Sequence, residues 1–115
     1  MIQVIGTKKC QLTQKSLRFF KERGVTVHFM DLSTRPISAG ELDNCVRALG
    51  SVEKLLDRAG PRWKARGLEH MVFNVRDELL ADSALLLTPI VRQGKATCIG
   101  LDESGWQRLA EAEKA

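Results

Sequence analysis

The stretch Ile2-Gln3-Val4-Ile5-Gly6-Thr7-Lys8-Lys9-Cys10, running on into Gln11 to Arg23, decides how this 115-residue chain folds. Ile2 to Ile5 is a short apolar run that predicts a buried strand. Gln11 to Arg23 predicts a helix whose Leu12, Phe19 and Phe20 supply an apolar face, and Gly24 stands where a left-handed residue would end it. Cys10 then falls at the mouth of the first helix, where backbone N–H groups converge and the helix dipole is positive. Both effects favour thiolate over thiol. Val25, Val27 and Phe29 next alternate with Thr26, His28 and Met30 and predict a second strand. Strand–helix–strand at this spacing is a βαβ unit, so the two strands are expected to be parallel with a right-handed crossover.

Arg35-Pro36 breaks the pattern, and Ser38 followed three residues later by Glu41 is a capping box that predicts a new helix. Leu42, Cys45, Val46 and Leu49 recur at helical spacing, which makes Cys45 a core residue, and Gly50 stops the run. Val52, Leu55 and Leu56 predict a short second helix before Gly60-Pro61 and Gly67 interrupt it. Residues 38–82 are therefore expected to form a mostly helical insertion. Thr88-Pro89-Ile90-Val91 predicts a short strand, Gln93-Gly94-Lys95 a turn, and Ala96 to Ile99 the second strand of a hairpin. Gly100-Leu101-Asp102 leads into a C-terminal helix with Trp106, Leu109 and Ala110 facing inward. No internal repeat is visible.

A chain of 115 residues with 43% hydrophobic residues is sized for one domain around a single core. The net charge of +4 is spread among interleaved acidic residues, and only Thr7-Lys8-Lys9 and Arg58 to Arg66 concentrate positive charge. With no Tyr and few aromatics there is little to stack on bases, so no specific nucleic-acid partner is expected. No basic-then-apolar leader pattern opens the chain, and the apolar run Ala84 to Leu87 is far short of a membrane span. A cytoplasmic protein with no membrane partner is the expectation. Cys10, Cys45 and Cys98 are odd in number and contain no CxxC pair, which argues against a disulfide scaffold and a zinc site. No metal is expected, and His28 and His70 read as structural.

The element order βαβ, helices, ββα, with a lone cysteine after the first strand and a proline opening the third, resembles the thioredoxin-like arrangement. Three segments carry a closer resemblance: Cys10-x-x-Thr13-x-Lys15, Leu55-Leu56-Asp57-Arg58-Ala59-Gly60-Pro61-Arg62-Trp63-Lys64, and Thr88-Pro89-Ile90-Val91 with Gly94-Lys95 and Ile99-Gly100. Together they resemble the arsenate reductase and Spx family along essentially the whole chain. The resemblance implies an α/β, thioredoxin-like fold, a glutaredoxin-type βαβ…ββα core with a helical insertion, in which Cys10 is the redox nucleophile. It also implies that Pro89 is a cis proline beside that cysteine.

Arsenate-reducing members attack the oxyanion with this thiol and are recycled by glutathione and glutaredoxin. Arginines grip the anion in those members. Arg58 or Arg62 matches one of them, whereas the position before the proline is Thr88 here, which removes a bidentate, permanently charged ligand. Regulatory members carry a second cysteine three residues after the first and bind RNA polymerase. Thr13 occupies that position here, so a local Cys–Cys switch cannot form.

The expected site therefore has Cys10 as catalytic nucleophile and Lys9, Thr13, Lys15, Arg58, Arg62, Thr88 and Pro89 around its substrate. Thr88 reads either as offering its hydroxyl to a bound thiol substrate such as glutathione or as simply a β-favouring residue. Lys8, Lys9 and Lys15 are the cations nearest Cys10 in sequence, though Lys15 sits one turn into a helix, where lysines usually face solvent. Two functions follow. One is a monomeric thiol-redox enzyme acting on a small oxyanion or a glutathione mixed disulfide, with glutathione as co-substrate and no bound cofactor. The other is a non-catalytic, Spx-like binding module that contacts a protein partner such as RNA polymerase.

Overall fold

A computed structural model describes all residues, 1–115. In chain order the elements are β1 (Ile2–Gly6), α1 (Gln11–Glu22), β2 (Val27–Asp31), α2 (Ala39–Leu49), α3 (Pro61–Ala65), α4 (Val75–Ala81), β3 (Ile90–Gln93), β4 (Ala96–Ile99) and α5 (Glu103–Lys114). Three short 3-10 turns, Val52–Leu55, Leu68–His70 and Ser83–Leu85, join the middle helices. The elements cluster into two compact units: residues 1–35 with 88–115, and residues 36–87.

The first unit is built on a four-stranded sheet in the order β2-β1-β3-β4. β1 pairs parallel with β2, as the βαβ spacing requires, and antiparallel with β3; β4 closes the hairpin antiparallel to β3. Central strands are buried on both faces and so carry continuous apolar runs. In β1, Ile2 and Val4 pack with Phe20, Val91, Trp106 and Leu109 in one cluster, while Ile5, opposite Met30 and Ile90 in its neighbours, is buried as well. Phe19 meets Phe20 and Trp106 edge-to-face, with ring centroids 5.4 and 5.5 Å away. Trp106, Leu109 and Ala110 face inward from α5 as the sequence predicts.

Two local expectations are corrected. The buried face of α1 is Thr13, Ser16 and Phe20, with Leu12 only half-buried. Small polar residues occupy this face because the first turn of the helix approaches β1 too closely for a large side chain. Val25 precedes β2 rather than belonging to it: its N–H bonds to the Phe20 carbonyl at 2.9 Å in the turn that ends α1. Gly24 there has φ +69°, the left-handed conformation that a helix-ending turn needs.

The second unit is helical throughout. The Ser38–Glu41 capping box is present in both directions, at 3.2 Å to the Glu41 N–H and 2.9 Å from the Ser38 N–H, and Gly50 ends α2 at φ +90°. Val52–Leu55 is a single 3-10 turn capped by Ser51, not an α-helix. Pro61 sits in the first turn of α3, where its missing N–H costs nothing, and Asn74 caps α4. Ile37, Leu42, Cys45, Leu55, Leu56, Leu68, Leu79, Leu85 and Leu86 are its buried apolar side chains. Asp43 receives two bonds from the Arg76 guanidinium at 2.9 and 3.1 Å. No helix of the chain is long and apolar enough to cross a membrane.

Candidate active site

Cys10 is the N-cap of α1, with extended backbone angles of φ −79° and ψ 116°. Its N–H closes the Thr7-Lys8-Lys9 loop onto the Thr7 carbonyl at 3.2 Å, and its carbonyl accepts the Gln14 N–H at 3.0 Å. The Gln14 side-chain amide also donates to the Lys8 carbonyl. The loop is therefore fixed at both ends, and the thiol is held half-buried at the start of the helix.

Thr88 lies across from it. The Thr88 hydroxyl donates to Cys10 Sγ at 3.1 Å, and the Cys10 thiol is 3.7 Å from the Thr88 carbonyl oxygen. One residue thus offers an acceptor to the thiol and a donor to the thiolate. The Thr88-Pro89 peptide is cis, and the Pro89 carbonyl accepts the Gly100 N–H at 2.9 Å. The Thr88 hydroxyl is engaged by the protein's own sulfur.

Thr13 completes the surroundings of the sulfur. It is fully buried, and its Oγ1 has no hydrogen-bond partner at bonding geometry. Burial of the thiol raises the Cys10 pKa, but the hydroxyls of Thr13 and Thr88 and the N–H groups of Thr13 and Leu12 outweigh it. The net result is a thiol below its ordinary value. These amides close no cap bond onto the neutral thiol, so they act on the charge that forms when it ionises.

Gly6 makes this possible. A Cβ at position 6 would stand 2.2 Å from Thr13 Oγ1 and 2.7 Å from its Cγ2, so only glycine lets the end of β1 approach α1 this closely. Sequence reading missed Gly6. The signal was a glycine ending a β-branched strand directly before the loop, a position that permits close backbone approach.

The remaining expected residues are placed as follows. Lys9 is exposed in the loop. Lys15 pairs with Glu103 at 3.2 Å, on the surface. Arg58 and Arg62 lie in the helical unit. Arg58 pairs with Glu53 and stacks over Trp63 at 5.4 Å, and Arg62 bonds Asp82 at 2.8 Å. Arg66 reaches the same Asp82 oxygen at 3.3 Å. Cys45 and Cys98 are buried, and none of the three cysteines is joined in a disulfide. Cys98 packs in the α5 face of the sheet, where burial and then the Asp102 carboxylate push its thiol pKa up. No group of histidine, cysteine and carboxylate side chains is arranged to hold a metal ion.

No protein-family model matches the chain, and no curated protein sequence does. Solved structures do. The YffB protein superimposes with a TM-score of 0.85 at 18% identity, over 96% of this chain and 99% of its own. An arsenate reductase from Vibrio cholerae gives 0.80 at 15% identity, over 94% and 96%. An arsenate reductase-related protein from Brucella melitensis gives 0.70 at 20% identity, over 93% and 92%. The chain has the arsenate reductase-like form of the thioredoxin fold. Coverage is nearly complete on both sides, so the helical segment between β2 and β3 is part of that shared architecture.

Proposed function

We propose that the protein is a thiol-redox protein in which Cys10 is the lone nucleophile, acting on a small oxyanion or on a glutathione mixed disulfide. The observation that carries this reading is the 3.1 Å hydrogen bond from Thr88 to a half-buried sulfur at the N-terminus of α1. A thiolate is the nucleophilic form of cysteine, and hydroxyl and amide donors aimed at the sulfur raise its population at neutral pH. Solved structures of this fold include an arsenate reductase from Vibrio cholerae, which supports a redox role. With Thr13 in place of a nearby second thiol, the covalent adduct on Cys10 is resolved by an external thiol, for which glutathione is suited.

In the disulfide case the thiolate attacks one sulfur and expels the other as a thiolate. The external thiol then takes up the group left on Cys10 and restores it. The test is glutathione-dependent reduction of a disulfide and of arsenate by the wild type and three single variants. Cys10→Ser abolishes turnover, while Cys45→Ser and Cys98→Ser keep it. Turnover that survives Cys10→Ser overturns the proposal.

A further inference from the structure

We propose that the sheet carries a second site, apart from Cys10, in which Arg92 with Gln3 and His28 takes a phosphoryl group. The strand register lines these residues up. Gln3 in β1 stands opposite His28 in β2 and Arg92 in β3, and Arg92 stands opposite Thr97 in β4. Directly opposed residues share a face, so the four make one polar row across the sheet at spacings of about 4.8 Å. The row of Ile5 beside it on the same face, with Met30, Ile90 and Ile99, is apolar. Gln3 lies three residues, or about 10 Å, along β1 from Gly6, at the end of the strand away from the Cys10 loop.

Three arginines of the chain, Arg23, Arg76 and Arg92, are half-buried, and two of them have their charge answered. Arg76 is bound by the Asp43 carboxylate. Arg23 lies over the Phe19 ring at 3.5 Å and bonds the Gln107 side chain. Arg92 has neither a carboxylate nor a ring: its Nε donates to Thr97 Oγ1 at 3.0 Å. The Thr97 hydroxyl donates in turn to the Lys95 carbonyl at 3.3 Å, so the guanidinium plane is oriented and both Nη groups are left for a ligand. A guanidinium cannot shed its proton, and withdrawing it partly from water is unfavourable until an anion answers it.

No carboxylate of the first unit stands on this face. α1 and α5 pack through Phe20, Trp106 and Leu109 against Ile2 and Val4, the opposite face, and they carry Glu22, Glu103, Glu111 and Glu113. Asp102 caps α5, and Asp31 follows Met30 in β2 and so alternates to the Val4 side. The guanidinium fork can hold two oxygens of one anion. Gln3 has one amide N–H near Met30 Sδ at 3.8 Å and a second to spare, and the exposed His28 ring carries an N–H in either charge state. Donors that come from β1 and β2 as well as from β3 suit a tetrahedral group with three or more oxygens better than a planar carboxylate.

The experiment follows the amide and arginine Nε–H resonances of the ¹⁵N-labelled full chain at constant ionic strength, during titration with inorganic phosphate, glycerol 2-phosphate or acetate. The expected result is saturable shifts centred on Gln3, His28, Arg92 and Thr97 with phosphate and a much weaker response to acetate. Glycerol 2-phosphate binding equally assigns the site to phosphate monoesters, and its failure to bind assigns it to the free ion. Arg92→Gln weakens phosphate binding about tenfold or more, and Thr97→Val, which keeps the side-chain shape but frees the guanidinium, about threefold. Shifts that do not saturate, shifts confined to Leu12 and Thr13 beside Cys10, acetate binding as tight as phosphate, or undiminished affinity in Arg92→Gln each overturn the proposal. The wild-type titrations decide it even if a variant fails to fold.

Discussion

The Thr88 hydroxyl donates to Cys10 Sγ at 3.1 Å across 78 positions of sequence, joining the residue before Pro89 to the start of α1. A half-buried sulfur with a hydroxyl directed at it is stabilised as thiolate. The folded value of Cys10 therefore lies below the unfolded one. A group with a depressed folded pKa contributes stability that is present above the unfolded value, about 8.5 for cysteine, and is lost as pH falls through the folded value. The stability difference between wild type and Cys10→Ala should shrink on acidification across that window. Denaturant titrations of both proteins at a series of pH values measure it.

Thr13 is expected to separate charge stabilisation from packing. Thr13→Val keeps the shape of a fully buried side chain but deletes a hydroxyl that has no partner in the thiol form. Removing an unpaired buried hydroxyl does not destabilise the fold and can add up to ~1 kcal/mol, while the Cys10 thiol pKa rises. Urea unfolding below the thiol pKa, together with the pH dependence of alkylation, reads both effects.

Gly6 and Thr13 should be energetically coupled. Gly6→Ala places a methyl 2.2 Å from Thr13 Oγ1, an overpacking that costs about 1–3 kcal/mol. Thr13→Ala empties that space, so the double variant should recover much of the loss. A double-mutant cycle by denaturant unfolding gives the coupling directly.

The three cysteines should differ sharply in reactivity. Cys10 is half-buried with a lowered thiol pKa, whereas Cys45 is fully buried and Cys98 is buried with its pKa raised by burial and by Asp102. Brief alkylation of the native protein near pH 7 should label Cys10 alone by peptide mass mapping. Labelling of the other two should wait for unfolding.

Much of this was legible from local pattern. The β1–α1–β2 order, the Ser38 capping box and the glycines ending α1 and α2 all act over a few residues, and the structure contains them. Cys10 at a helix start was legible for the same reason. What escaped depends on distant groups meeting. The ion pairs of Arg62 with Asp82 and Lys15 with Glu103 join elements that no periodicity relates. The buried Thr13 and Ser16 face of α1 looks like a polar stripe until β1 ends in Gly6 beneath it. The hydrogen bond from Thr88 to Cys10 joins residues 78 positions apart.

The most direct test of Cys10 as the nucleophile is the pH dependence of its alkylation in the native protein, with Cys45→Ser and Cys98→Ser present to isolate it. The midpoint should lie clearly below the ~8.5 of a free cysteine and move upward in Thr88→Val. A midpoint at or above ~8.5 would contradict the assignment of a thiolate held by Thr88 and Thr13.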